Sequence, residues 1–119
     1  MTPQELNDFA LALPEVNEEE SFGPGVSVYK VVGKVFAILQ PNGSPPQVTL
    51  KCDPSLALEL RAQFPAVTEG YHVNKKHWNT VVLDGSVPEE EVRDMVEHSY
   101  ERVVESLPKL VRTRLAGQR

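Results

Sequence analysis

One cysteine in 119 residues, Cys52, leaves this chain without an intrachain disulfide and without the thiolate cluster of a zinc site. No run approaches the roughly 18 apolar residues that a membrane span needs, so no membrane partner is expected. The amino terminus reads Met-Thr-Pro-Gln-Glu-Leu and lacks both the basic segment and the apolar core of a secretory signal. That predicts a cytoplasmic protein. Also missing are a nucleophile elbow, a phosphate-cradling glycine loop and a His/Glu pair at metalloprotease spacing. No catalytic residue, cofactor or metal is therefore expected, and the chain reads as a binding protein rather than an enzyme. Cys52 is expected as a small residue where a strand passes into a helix.

What is present is an ordinary globular composition, 40% apolar and 24% charged, in a chain long enough to bury a core. Residues 1–119 read as a single domain, with 108–119 a basic tail that is either a short helix or frayed. The formal charge of −5 is unevenly spread. Residues 1–29 hold six acids and no Lys or Arg, whereas residues 30–83 hold six bases against three acids. An acidic protein gains no long-range attraction to nucleic acid, yet a basic patch still acts within a Debye length of about 8–10 Å.

Hydrophobic periodicity gives the element order. Thr2-Pro3-Gln4-Glu5 is a capping box with Pro in the first turn, and Leu6, Phe9, Ala10 and Leu13 share a helical face until Pro14. A short strand is expected around residues 18–22. "VSVYKVVGKVFAIL" reads as a hairpin, strands 26–31 and 34–40, turning at Val32-Gly33. Strict alternation would place Val26, Val28, Val35, Ala37 and Leu39 on one face. Tyr29, Phe36 and Ile38 would share the other with Ser27 and Lys34, and a one-residue slip would swap which face is core. "QVTLK" is the next strand, and Asp53-Pro54 starts a helix carrying Leu56, Leu60 and Phe64. Thr80–Leu83 is a late strand. Ser86-x-x-Glu89 opens a last long helix, buried along Val92, Met95, Val96, Ser99, Val103 and Leu107. Short connections favour an antiparallel sheet with helices on one side, an α+β two-layer sandwich.

The stretch "GYHVNKKHWNT", residues 70–80, gathers bases, histidines and aromatics with no acid. Lys75 and Lys76 suit phosphates, His72 and Asn74 hydrogen bonds, and Tyr71 or Trp78 stacking. Against this, Trp78 beside a strand is more simply a packed anchor of the fold. A metal site drawn from His72, His77, His98 and Cys52 matches no zinc spacing. Glu18–Glu20 alternate faces in a strand and cannot converge on one cation.

Three fragments in this order resemble the MmcQ/YjbR family: "ALPEVNEEESFGPGVSVYKVVGKVFAIL", "TLKCDPSLALELRAQFPAVTEGYHVNKKHWNTVVLDG" and "VPEEEVRDMVEHSYERVVESL". The resemblance covers about residues 2–107. It implies a frataxin-like two-layer sandwich with a strongly curved antiparallel sheet, described for that family as a double-wing DNA-binding motif. The matching positions are Gly33, Lys34, Phe36, Lys51, Asp53, Tyr71, His72, Asn74, Lys75, His77, Trp78 and Asn79. The combined expectation is a DNA-binding protein that contacts phosphates through Lys30, Lys34, Lys51, His72, Asn74, Lys75, Lys76 and His77. The rivals are a protein partner docked on an exposed sheet face (Tyr29, Phe36, Ile38) and a small-ligand pocket of His72, His77, Trp78 and Asn79. A metal role for the acidic edge, Glu18–Glu20, is a more distant one.

Overall fold

The computed structural model describes residues 1–70 and 73–119. Helix α1 (Pro3–Leu11) begins as the capping box requires: Thr2 Oγ1 accepts the Glu5 N–H at 3.1 Å and Glu5 Oε1 accepts the Thr2 N–H at 2.9 Å. Four strands follow, β1 (Val16–Glu19), β2 (Ser27–Val31), β3 (Lys34–Gln40) and β4 (Gln47–Lys51). Then come α2 (Pro54–Gln63), β5 (Val67–Glu69), β6 (Trp78–Val82), α3 (Glu89–Glu105) and α4 (Lys109–Ala116). The strands form one curved six-stranded sheet, ordered β1-β2-β3-β4-β6-β5, with every pairing antiparallel. α1, α2 and α3 cover one face, which is the expected two-layer α+β sandwich.

The hairpin faces differ from strict alternation. Tyr29 pairs with Ala37 but Lys30 pairs with Val35, so Phe36 is an extra residue, a β-bulge. Up to Phe36 the alternation holds, with Ser27, Tyr29, Lys34 and Phe36 on one face and Val28 and Val35 on the other. The bulge then flips the rest: Ala37 and Leu39 turn to the helices and Ile38 away. Tyr29 and Phe36 are fully buried and Ile38 is 8% exposed, so the docking patch built on these three does not exist. Tyr29 Oη donates to Asn7 Oδ1 of α1 at 2.7 Å, and burial, with Glu18 nearby, pushes its pKa up to about 12.

Val32 and Gly33 both have positive φ, +48° and +80°, the geometry of a hairpin turn of the primed type. A β-branched residue is strained there. Val32→Asn should stabilise the protein by about 1 kcal/mol. Thermal unfolding would show this, and an unchanged or lower midpoint would mean Val32 carries no strain.

Three further details depart from expectation. β1 begins at Val16 rather than near 18. β5 was hidden in what reads as a loop. The α3 capping box is absent: Pro88 is the N-cap, while the Ser86 N–H and hydroxyl both donate to Asp84 Oδ1. The buried stripe of α3 is as expected, with Tyr100 added.

The basic tail is helix α4, tied to the body by charge. Arg114 donates to both Glu15 carboxylate oxygens at 2.8 Å, and Gln118 Nε2 adds a third bond at 2.6 Å. Arg119 reaches Glu97 at 3.1 Å and lies over the Tyr100 ring. The Arg114 and then the Gln118 hydrogen bonds hold the Glu15 carboxyl below its ordinary value of 4.5. Such a group stabilises the fold above its unfolded value and loses that contribution as pH falls through the folded one. α4 docking should therefore weaken below about pH 4.5, read as faster amide exchange at Leu115. Glu15→Gln should remove that dependence; if it persists in the variant, another group governs it.

Candidate functional site

Because α1, α2 and α3 take one side of the sheet, the opposite side is free of helices, and register says what it presents. Its strand positions are Asn17, Glu19, Val28, Lys30, Val35, Ile38, Gln40, Gln47, Thr49, Lys51, Thr68, Trp78, Thr80 and Val82. In a chain with 17 acids and 12 bases, this face carries two lysines and one carboxylate at its strand positions. The middle is closed by small or branched side chains: Val28, Ile38, Thr49 and Thr80 are buried, and the two threonine hydroxyls share a hydrogen bond of 3.0 Å. The lysines stand at one end.

Lys51 is the last residue of β4 and pairs across the ladder with Trp78, the first of β6. Its backbone N–H is fixed by Ser99 Oγ of α3 at 2.8 Å, and Ser99 in turn donates to the Phe36 carbonyl at 2.5 Å. α3 thus clamps β3 and β4 from behind while the Lys51 ammonium has no partner among the described residues. Trp78 is half-buried on this helix-free face rather than sealed in the core, contrary to the anchor reading. Lys30 stands two strands from Lys51, a lateral spacing of roughly 10 Å. Its Nζ lies 2.7 Å from Glu19 Oε2.

The loop before β6 borders the same end, since the Cys52 N–H donates to the His77 carbonyl at 2.8 Å. Asn74 shapes that loop: Oδ1 accepts the Lys76 N–H at 2.9 Å and its carbonyl accepts the His77 N–H at 3.2 Å. Asn74 is a turn former here. His77 is half-buried and serves through its backbone. Lys75 is well exposed, 3.9 Å from Glu69, and Lys76 is exposed with no partner for its ammonium among the described residues. His72 and Tyr71 lie outside the described residues.

Lys34 does not join the group. It sits on the helix side of the hairpin end, where Nζ donates to Ser106 Oγ just beyond α3, at 3.3 Å. Lys30 and Lys51 therefore share one end of the helix-free face, the Lys75–Lys76 loop borders that end, and Lys34 lies on the other side.

Sequence reading missed Arg61. From α2 it donates through Nε to Asn79 Oδ1 at 2.7 Å and through Nη2 to the Lys75 carbonyl at 2.6 Å, while Asn79 Nδ2 donates to the Ala57 carbonyl. This network fastens the lysine loop to α2. A lone Arg in a last helical turn reads as a helix-end charge, so no sequence signal marked it.

Other candidates separate. Cys52 is buried, and burial together with the Asp53 charge pushes its thiol up to about 11, which disqualifies it as a nucleophile near neutral pH. His98 Nε2 accepts the Asp53 N–H at 3.1 Å at the start of α2. Glu18 accepts from the Ser27 hydroxyl, Glu19 from Lys30 and Glu20 from the Gly25 N–H, so the acidic run is spent on separate contacts. Among the described residues no three His, Cys, Asp or Glu side chains are arranged to hold a metal ion, and no helix is long and apolar enough to cross a membrane.

The chain matches the family model YjbR over residues 11–102. It is 36% identical over 108 residues to YjbR of Escherichia coli strain K12, covering 91% of this chain and 92% of that one. It is 37% identical over 100 residues to YbdF of Escherichia coli O157:H7, covering 84% and 82%. Neither name states an activity. Among solved structures, protein DR2400 of Deinococcus radiodurans, with the domain DUF419, is similar at a TM-score of 0.89 and 35% identity, covering 97% of this chain and 88% of that one. A Pseudomonas syringae protein is similar at a TM-score of 0.75 and 27% identity, covering 86% and 98%.

Proposed function

The chain belongs to the YjbR family, and from that footing we propose that it is a non-enzymatic DNA-binding protein that grips single strands on the helix-free face of its sheet. One observation carries the reading: the Lys51–Trp78 cross-strand pair, an ammonium without a partner among the described residues beside a half-buried indole on a face nearly free of carboxylate. An aromatic platform takes a base by stacking, and an adjacent ammonium takes its phosphate. Lys30, Lys75 and Lys76 extend the cationic end, and Thr68, Gln40 and Gln47 supply neutral hydrogen-bonding groups. The ion pairs of Lys30 and Lys75 are surface pairs worth about 0–1 kcal/mol each, so a phosphate can displace either carboxylate.

Binding of this kind is tolerant of sequence and sensitive to salt. If four lysines each neutralise a phosphate, log K for a single strand falls with log salt at a slope near −2.8, and for a duplex near −3.6. Fluorescence anisotropy of a labelled oligonucleotide, titrated at several salt concentrations, measures this. A flat response, or no binding even at low salt, removes the proposal.

A further inference from the structure

On the opposite side of the sheet from that face, α2, α3 and strands β4 and β6 enclose a cavity of about 290 Å³. That is at the lower end of the ~300–1,000 Å³ of small-molecule pockets. Its floor and side walls are apolar, formed by Leu50 and Val81 from the sheet, Leu56 and Leu60 from α2, and Met95 from α3. It is not the pocket expected from sequence, since of His72, His77, Trp78 and Asn79 only Asn79 lines it among the described residues.

α3 gives the cavity its charge. Glu91, Asp94, Met95 and His98 fall at i, i+3, i+4 and i+7, one stripe of the helix, and all four line the cavity. Glu91 suits the positive start of a helix, but Asp94 lies beyond the first turn and gains little from it. Neither carboxylate has a hydrogen bond or ion pair among the described residues, although α3 pairs Glu89 with Arg93 and Glu105 with Arg102. His98 is engaged from the α2 side, its Nε2 accepting the Asp53 N–H. Lys51 contributes one positive charge to the lining against the two carboxylates. The cavity is thus an apolar chamber with a net negative rim.

We propose that this cavity is a binding site for a small organic amine, an apolar body of ring or short-chain size bearing one ammonium group. The apolar body fills the space over Leu50, Leu60, Val81 and Met95, and the ammonium lies between Glu91 and Asp94. An apolar carboxylic acid of the same shape meets a rim on which two carboxylates outnumber one ammonium. An apolar alcohol gains the floor but not the rim. The site does not rest on the DNA-binding reading: it lies behind the sheet, and of the residues that reading uses it shares only Lys51, at its edge.

Three probes of one shape separate these cases: phenethylamine, phenethyl alcohol and hydrocinnamate. The chain has two methionines, Met1 and Met95, so carbon-13 labelling of methionine methyls gives one reporter inside the cavity and one outside it. Phenethylamine should shift the Met95 methyl saturably and leave Met1 still, with an affinity at least tenfold above that of the alcohol. Hydrocinnamate should bind weakest. In Glu91→Gln/Asp94→Asn, whose changes lie at partner-free rim positions, amine and alcohol should bind alike while the melting temperature is kept. Leu56→Phe, which intrudes on the chamber from a half-buried position, should weaken all three probes. The proposal is overturned if no probe moves Met95, if the alcohol or the acid binds as well as the amine, or if the rim variant keeps the preference.

Discussion

Phe36→Ala should cost about 3–5 kcal/mol of unfolding free energy, the largest stability effect expected of a single truncation on the bulged hairpin. Phe36 has no exposed surface, its ring meets that of Tyr100 edge to face at 5.5 Å, and its carbonyl accepts the Ser99 hydroxyl. The bulge is what makes this possible. Without the extra residue, Phe36 and Ala37 would face opposite ways; with it, both join Tyr29 under the helices. Phe36→Asp should fail to fold, since a buried carboxylate there has no partner to offset its desolvation. Urea unfolding of the Ala variant measures the cost. A loss below about 1 kcal/mol would mean the ring is not in the core, and the assignment of Lys30 and Val35 to the helix-free face would fall with it.

That bulge also marks the boundary of what sequence could reveal. Capping boxes, prolines and apolar stripes are local signals, and they located α1, α2, α3 and the hairpin within a residue or two. Face assignment is not local: the flip at Ala37–Leu39 depends on a pairing offset against β2 that alternation within β3 cannot show. β5 has three residues and no pattern of its own; it exists because β6 offers it an edge. The α3 cap failed for a different reason. Ser86 had a nearer acceptor in Asp84, and a two-residue turn outcompeted a helix that starts two residues later than the motif implied.

The candidate site shows the same division. Lys30, Lys51, Lys75 and Lys76 were all visible as bases in an acidic chain; register brings Lys30 and Lys51 to one end of one face, and Lys75 and Lys76 lie in the loop that borders that end. Lys34 was equally visible and lies on the other side, because the hairpin parity that exposes Lys30 turns Lys34 toward the end of α3. Trp78 was read as a packed anchor because it adjoins a strand, and register puts it on the side of the sheet without helices. The Arg61–Asn79 brace and the α2–α3 cavity arise from residues far apart in sequence and left no local trace.

Lys51→Glu/Lys76→Glu should weaken single-strand binding more than tenfold, a loss above about 1.4 kcal/mol. Neither ammonium has a partner among the described residues, so the fold should lose little, and a melting temperature near that of the parent is part of the expected result. The opposite change should follow from Glu19→Gln: it removes the carboxylate 2.7 Å from Lys30 and leaves that ammonium free for phosphate, so affinity should rise. Two variants on one face that move affinity in opposite directions distinguish a binding surface from a general effect of net charge. If the double reversal binds as well as the parent, the helix-free face is not where nucleic acid is held.

The indole beside Lys51 allows the most direct test, because Trp78 is the sole tryptophan of the chain and its emission reports from the proposed contact itself. Titration with a short single-stranded oligonucleotide at low salt should quench that emission to saturation, and added salt should restore it as the strand is released. Emission that stays constant while the strand binds, or a strand that does not bind at all, contradicts a base stacked on this sheet.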